Sequence, residues 1–244
     1  MGPPVSLRVS VVCLWTAVAA LFPSHAPAVT VNGDATYTTD YIFRGISQTD
    51  GHGAGQLDVH LATLDGTFAG VFGSTLGRVR DRYWSYELEE YVGHRFDLSP
   101  SWSTSLSVVN YSYFGGNVPI SNDYQELTLS ASYLDRWTLS VSSSPNVLHF
   151  NREYRLGRYP GYVAEASTQL PIVGRLFFTA GIGYYQIGSG MDGLGYLYGN
   201  GGVAFEYKSL RIEGGYYAVQ EHAQPQYPWG WARNRVAGTL SWHF

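Results

Sequence analysis

The chain has 244 residues, only 14% of them charged, and a net charge of −4. Average chains carry roughly 25% charged residues, and a sparse, mildly acidic balance excludes a nucleic-acid surface built on bulk positive charge. Tyrosine (20) and glycine (29) are abundant, and the sole cysteine is Cys13, which excludes a disulfide framework or a thiolate metal site.

Residues 1–28 read as a cleaved secretory signal. Arg8 supplies the positive start, residues 9–22 form the apolar core, and Ala26 and Ala28 are the small residues before a cut after Ala28. The apolar run is too short to span a bilayer, which takes about 20 residues. Cys13 lies inside that run. The segment carries only Arg8, so its removal takes the charge from −4 to −5 and leaves no cysteine. Residues 29–244 then form one domain with no run of helix-spanning length. Few charges without long apolar runs is the composition of a transmembrane barrel, whose strands hide their apolar face by alternation.

About twelve segments have strand patterning. The first, about 31–45, sets Val31, Ala35, Tyr37, Tyr41 and Phe43 against Asn32, Asp34, Thr36, Asp40 and Arg44. The second, about 55–64, sets Leu57, Val59 and Leu61 against Gln56, Asp58 and His60, and Asp65-Gly66 closes it as a hairpin turn. The third covers about 67–76. The fourth, about 83–96, sets Trp84, Tyr86, Leu88 and Val92 against Ser85, Glu87 and Glu89. The fifth and sixth cover about 102–114 and 123–134, with Glu126 on the polar face of the latter. The others fall near 136–146, 160–170, 175–186, 196–208, 209–220 and 233–244. Connections after even-numbered strands are tight and those after odd-numbered strands are longer and polar, as in outer-membrane barrels. The fold class expected is all-β: an antiparallel up-and-down transmembrane barrel of about 12 strands. It must close, because backbone groups in lipid have no other partners.

The last strand, "RVAGTLSWHF", places Val236, Gly238, Leu240, Trp242 and Phe244 on one face. A strand ending on an aromatic is similar to the signal read by barrel-assembly machinery, so Leu240, Trp242 and Phe244 are the expected insertion signal.

With these strands in place, "TYTTDYIFRGISQTDGHGAGQLDVHLA" resembles the start of the TorF-type porin family of small proteobacterial outer-membrane proteins. "GTFAGVFGSTL", "YELEEYVGHRFD", "NYSYFGG", "NDYQELTLSASY" and "RVAGTLSWHF" extend the resemblance over the whole exported chain. It implies an outer-membrane barrel and passive solute passage, and names no substrate. Glu90 departs from the apolar residue the resemblance implies there. Alternation points it at lipid, so either a bulge shifts the register or this part of the strand lies near an interface.

If Tyr37, Tyr41 and Phe43 face lipid, Asp40 and Arg44 face the lumen near the pore mouth. Arg44 is then a charge filter, a brace paired with Asp40, Glu87 or Glu126, or both at once. The candidate pore-lining set is Asp40, Arg44, Asp58, Glu87, Glu89 and Glu126. Glu165, Glu206, Glu213, Lys208, Arg211 and Arg235 join the lumen face. Its acidic excess favours cations. Arg78, Arg80 and Arg82 crowd one external loop, and Arg152, Arg155 and Arg158 another. They steer anionic solutes or bind lipopolysaccharide phosphates. Ser103, Ser105, Ser107, Ser130, Ser132, Gly202 and Ala204 leave room in the lumen. Asp58 and His60 lack a nucleophile in any recognisable motif, so no enzyme activity, metal or cofactor is expected. His94, His149 and His222 read as isolated surface or interface residues. Two functions fit: a channel for small polar or charged solutes, or a plugged structural or adhesive barrel. The partners expected are membrane lipid, lipopolysaccharide, the assembly machinery and small solutes, not nucleic acid.

Overall fold

The computed structural model describes residues 28–77, 85–115, 121–150, 156–188, 194–227 and 230–244. Residues 1–27 of the expected signal segment, Cys13 among them, lie outside, as do Trp84, Arg78, Arg80, Arg82, Arg152 and Arg155.

Twelve strands form the wall. They are β1 (Val29–Thr38), β4 (Ala54–Thr63), β5 (Thr67–Thr75), β6 (Tyr86–Asp97), β7 (Trp102–Phe114), β8 (Tyr124–Tyr133), β9 (Trp137–Phe150), β10 (Leu156–Val173), β11 (Leu176–Ile187), β12 (Leu194–Tyr207), β13 (Leu210–Val219) and β14 (Arg235–His243). Each pairs antiparallel with its neighbours in chain order, and β1 pairs with β14 to close the barrel. Two further short strands, β2 (Ile42–Phe43) and β3 (Ile46–Ser47), pair only with each other. Among the described residues no helix is long and apolar enough to cross a membrane.

Alternation decides the two faces. Leu57, Leu61, Leu127, Leu129, Ile182, Val203, Ile212 and Leu240 are among the large apolar side chains left exposed on the outward face. An aqueous surface of this kind would aggregate, whereas lipid is the solvent that such a face fits. The seam runs from Asp34 opposite His243 to Thr38 opposite Thr239. Phe244 adds to it, donating to Gly33 at 3.0 Å and accepting from it at 2.9 Å. Leu240, Trp242 and Phe244 all face outward at this seam.

The short connections, 64–66, 98–101, 134–136, 174–175 and 208–209, lie at one end, and the longer ones at the other. Asp65 in the first of these turns accepts from the Thr63 hydroxyl and the Thr67 backbone N–H, which holds its carboxyl below the ordinary value. Lys208 is the correction here. It sits at φ 55 in an exposed turn, with its ammonium 5.4 Å from the Tyr207 ring, and so does not line the lumen.

The strand edges also move. β9 and β10 run further than their patterning indicates. A register shift between Tyr159 and Gly161 sets one residue, Pro160, opposite Pro145 and Asn146. This bulge switches which side chains of β9 point inward, from Ser142 and Ser144 to Val147 and His149. Proline can sit there because the ladder is already broken. Glu90 needs no such device. Its strand is in unbroken register, opposite Val71 and Asn110, so it faces outward, where Asn110 donates to it at 3.3 Å.

Gly66, at φ +95, is packed so that an added Cβ would strike the Arg95 carbonyl oxygen. Gly66→Ala is expected to destabilise the barrel by about 1–3 kcal/mol through backbone strain, read as a lowered midpoint in urea unfolding from vesicles; an unchanged midpoint contradicts this turn geometry.

Candidate functional site

The largest departure from simple alternation is at the first long connection. The run Tyr37, Thr39, Tyr41, Phe43 continues the strand period of β1, yet the wall strand stops at Thr38. The chain then turns into the lumen. Ile42 pairs with Ser47 and Phe43 with Ile46, which leaves Arg44 and Gly45 as a two-residue turn at φ 50 and φ 77. Two positive φ values in succession make the type I′ geometry that hairpins favour, and glycine takes the second position without cost. Arg44 has a Cβ and is held in the left-handed region by what its side chain meets.

That side chain ends in a buried ion pair. Arg44 Nη2 lies 2.6 Å from Glu126 Oε1 on β8, with the two side chains 6% and 4% exposed. The guanidinium carbon sits 4.6 Å from the Phe43 ring centroid and 5.1 Å from that of Tyr185. Burial works against the Arg44 charge, but Glu126 more than offsets it, so its pKa stands above the ordinary arginine value. A second clamp holds the base of the hairpin. Asp40 accepts from the hydroxyls of Ser47 at 2.5 Å and Thr49 at 2.8 Å, and its other oxygen lies 3.2 Å from Arg235 on β14. Arg235 also approaches Asp50 at 3.6 Å. Backbone bonds finish the anchoring: Gln48 N–H to Tyr41 O at 2.7 Å, Ser47 N–H to Trp231 O at 3.1 Å, and Gly77 N–H to Gln48 O at 3.1 Å.

Tyr41 and Phe43 therefore do not face lipid. Tyr41 lies against Phe72 and Phe43 against Tyr111, both on the inner wall. Ile46 joins a buried cluster with Tyr111, Tyr124, Val147, Tyr185, Ile187 and Tyr196. Ala223 and Ala232, from the connection between β13 and β14, close over the same cluster. The lumen at the long-connection end is thus aromatic and filled. His149 belongs here too: it is buried, with its ring 5.6 Å from that of Tyr227, rather than lying at the surface.

Toward the short-turn end the wall is small and polar. Ser105 bonds Ser130, Thr128 bonds Ser142, and Ser132 bonds Thr138 across neighbouring strands. Charges here are half-exposed and grouped. Arg211 reaches Glu206 at 2.5 Å, Glu213 at 2.7 Å and Gln169 at 2.9 Å. Asp58 bonds His60 at 2.7 Å and accepts from the Tyr91 hydroxyl at 2.7 Å. Tyrosines meet two carboxylates further from the short turns: Tyr113 donates to the buried Glu87 at the long-connection end, and Tyr198 to Glu165, each at 2.6 Å. Among the described residues no group of three or more His, Cys, Asp and Glu side chains could hold a metal ion.

The candidate pore-lining residues thus all lie inside the barrel, in separate groups. Arg44 joins Glu126, Asp40 joins Arg235 and Asp58 joins His60, while Glu87 and Glu89 have no cationic partner among the described residues. Of the external arginines, Arg158 is described, and it spends its charge on backbone: its guanidinium donates to the carbonyls of Ser121, Asp123 and Asn146.

Comparison with known proteins agrees with this architecture. A family model described as a bacterial protein of unknown function, Gcw_chp, matches residues 24–217. No curated protein matches by sequence. Among solved structures, the NanC porin aligns at a TM-score of 0.57 with 8% identity, covering 87% of this chain and 98% of that one. A membrane protein from a study of in-meso crystallisation aligns at 0.54 with 13% identity, covering 87% and 83%. The KdgM porin aligns at 0.49 with 9% identity, covering 87% and 98%. At these identities the first two share the fold.

Removing one partner of a buried ion pair costs about 3–5 kcal/mol, because the other charge is left uncompensated. Arg44→Ala is therefore expected to free the hairpin, seen as faster amide hydrogen exchange over residues 40–50. Adding Glu126→Gln should restore part of the protection. Equal exchange in all three proteins contradicts the clamp.

Proposed function

We propose that this chain, which belongs to the Gcw_chp family of bacterial proteins of unknown function, is an outer-membrane channel for small polar or charged solutes, narrowed at its outer end by the hairpin of β2 and β3. The observation that carries the reading is the division of the lumen. Its short-turn half is lined by half-exposed charges and small hydroxyls, as an aqueous vestibule requires. Its other half is constricted by a segment tied to the wall through side chains at Arg44 and Asp40. A wall that merely needed filling could use its own side chains, as eight-stranded barrels do.

The outward apolar face supports a place in lipid, and the sorting of connections supports short turns on the periplasmic side. The resemblance to TorF-type porins supports the same reading. In it, Arg44 is first a brace, and it tunes passage only through where it holds the hairpin. Export by way of residues 1–28, and lipopolysaccharide contact at the outer rim, belong to the same proposal.

One observation favours a second reading, a closed structural barrel: Asp40, Arg44, Ile46, Ser47 and Thr49 are all buried, so the hairpin packs closely against the inner wall. Planar-bilayer conductance separates the two. The refolded protein is expected to show small, discrete steps, with a severalfold larger step when residues 41–48 are replaced by a short glycine linker. A silent wild type that conducts only after the replacement marks a plug. Silence from both, shown folded by heat-modifiable gel migration, overturns the channel.

A further inference from the structure

Three successive short turns carry a base that no carboxylate answers. Arg136, Arg175 and Lys208 stand in the turns 134–136, 174–175 and 208–209, which follow one another along the rim from β8 to β13. All three are exposed, and none forms an ion pair among the described residues. The turns at 64–66 and 98–101 hold no base, so the charge lies on one side of the rim. Neighbouring carboxylates are already used. Asp135 meets Arg95 at 3.0 Å, and Glu206 and Glu213, on the strands flanking the last turn, both meet Arg211 on the lumen side.

Two of these bases converge. The Arg175 guanidinium carbon lies 4.6 Å from the centroid of the Tyr207 ring, and the Lys208 ammonium lies 5.4 Å from the same centroid. Tyr207 is 46% exposed on the outward face, and Phe205 and Val203 continue its row along β12, also exposed. Both cations therefore lean out over the lipid-facing wall, as long basic side chains do where an apolar surface meets headgroups. Two like charges over one ring repel, and an anion shared between them turns that cost into two charge-assisted contacts. The wall below the ring dictates the rest of the ligand. A free phosphate would leave that wall uncovered, and an acidic peptide would lay polar backbone against it at a cost. A phosphodiester carrying acyl chains suits both parts.

We propose that Arg175 and Lys208, on the Tyr207 ring, bind the phosphate of an anionic glycerophospholipid in the leaflet at the short-turn end, and that Arg136 extends the same basic arc; the site rests on the outward face lying in lipid, not on whether the lumen conducts. The test is native mass spectrometry of the detergent-folded barrel, titrated with phosphatidylglycerol or with phosphatidylcholine of equal chain length. Saturable binding of phosphatidylglycerol, tighter than that of phosphatidylcholine, is expected, and this comparison needs no variant. Changing Arg175→Gln and Lys208→Gln should weaken phosphatidylglycerol about fivefold for each charge removed. Arg233→Gln, which removes an exposed charge in the connection between β13 and β14 at the other end, should leave it unchanged. Heat-modifiable migration checks that each variant is folded. Equal affinity for the two lipids, wild-type affinity in the double variant, or an equal loss in Arg233→Gln each overturns the site. Displacement of the lipid by inorganic phosphate at equal concentration assigns the two bases to a free anion and overturns the lipid as its ligand.

Discussion

Everything in this molecule depends on closing one backbone ladder. A sheet surrounded by lipid has no water to satisfy an edge, so its first and last strands must find each other. Here β1 gives ten residues to β4 and five to β14, and Phe244 completes the seam through Gly33. An added Cβ on Gly33 would meet both the Phe244 ring and the Asp58 carbonyl oxygen, so the seam packs tightly only with glycine there. Once the ladder is closed, alternation assigns every wall side chain to one of two solvents. The interior is then a fixed volume that the remaining chain can leave open or fill.

The first long connection fills it in part. A charge taken out of water must be paired, and the two clamps do this with opposite polarity: the hairpin supplies the cation at Arg44 and the anion at Asp40. The wall answers with Glu126 on one side and Arg235 on the other. Their positions on β8 and β14 tie the hairpin across the barrel rather than along one wall. The result is a segment that lacks the hydrogen bonds of a wall strand yet is held by ion pairs at both ends. A buried ion pair adds little net stability compared with a well-packed apolar contact, but it fixes register and position. That is the property a constriction needs.

Most of the wall was legible in the sequence, because period two survives wherever one face meets lipid. The twelve segments, the tight even connections and the inward placement of Glu87, Glu89 and Glu126 follow from it. Three features were not legible in that way. The run Tyr37, Thr39, Tyr41, Phe43 keeps the strand period past Thr38, so a count of alternation carries the first strand on to residue 45. Its true end is marked only by Phe43-Arg44-Gly45-Ile46, a two-residue turn with glycine second, which does carry the hairpin signal. The bulge at Pro145 and Asn146 shifts the phase of β9, and the paired prolines were its only sign. The division of carboxylates between Arg44, Arg235 and Arg211 is a fact of tertiary geometry that no local pattern encodes.

The central claim is that residues 40–50 lie inside the barrel and not above it. The test uses single cysteines in a chain whose one native cysteine, Cys13, lies in the expected signal segment. Ser47→Cys replaces a side chain 1% exposed inside the lumen, and Glu221→Cys one that is exposed in the connection between β13 and β14. Both are treated with a bulky, membrane-impermeant maleimide on folded protein in vesicles. The account predicts rapid labelling at residue 221 and none at residue 47 until the barrel is unfolded. Equal labelling at the two positions would place the hairpin outside and contradict it.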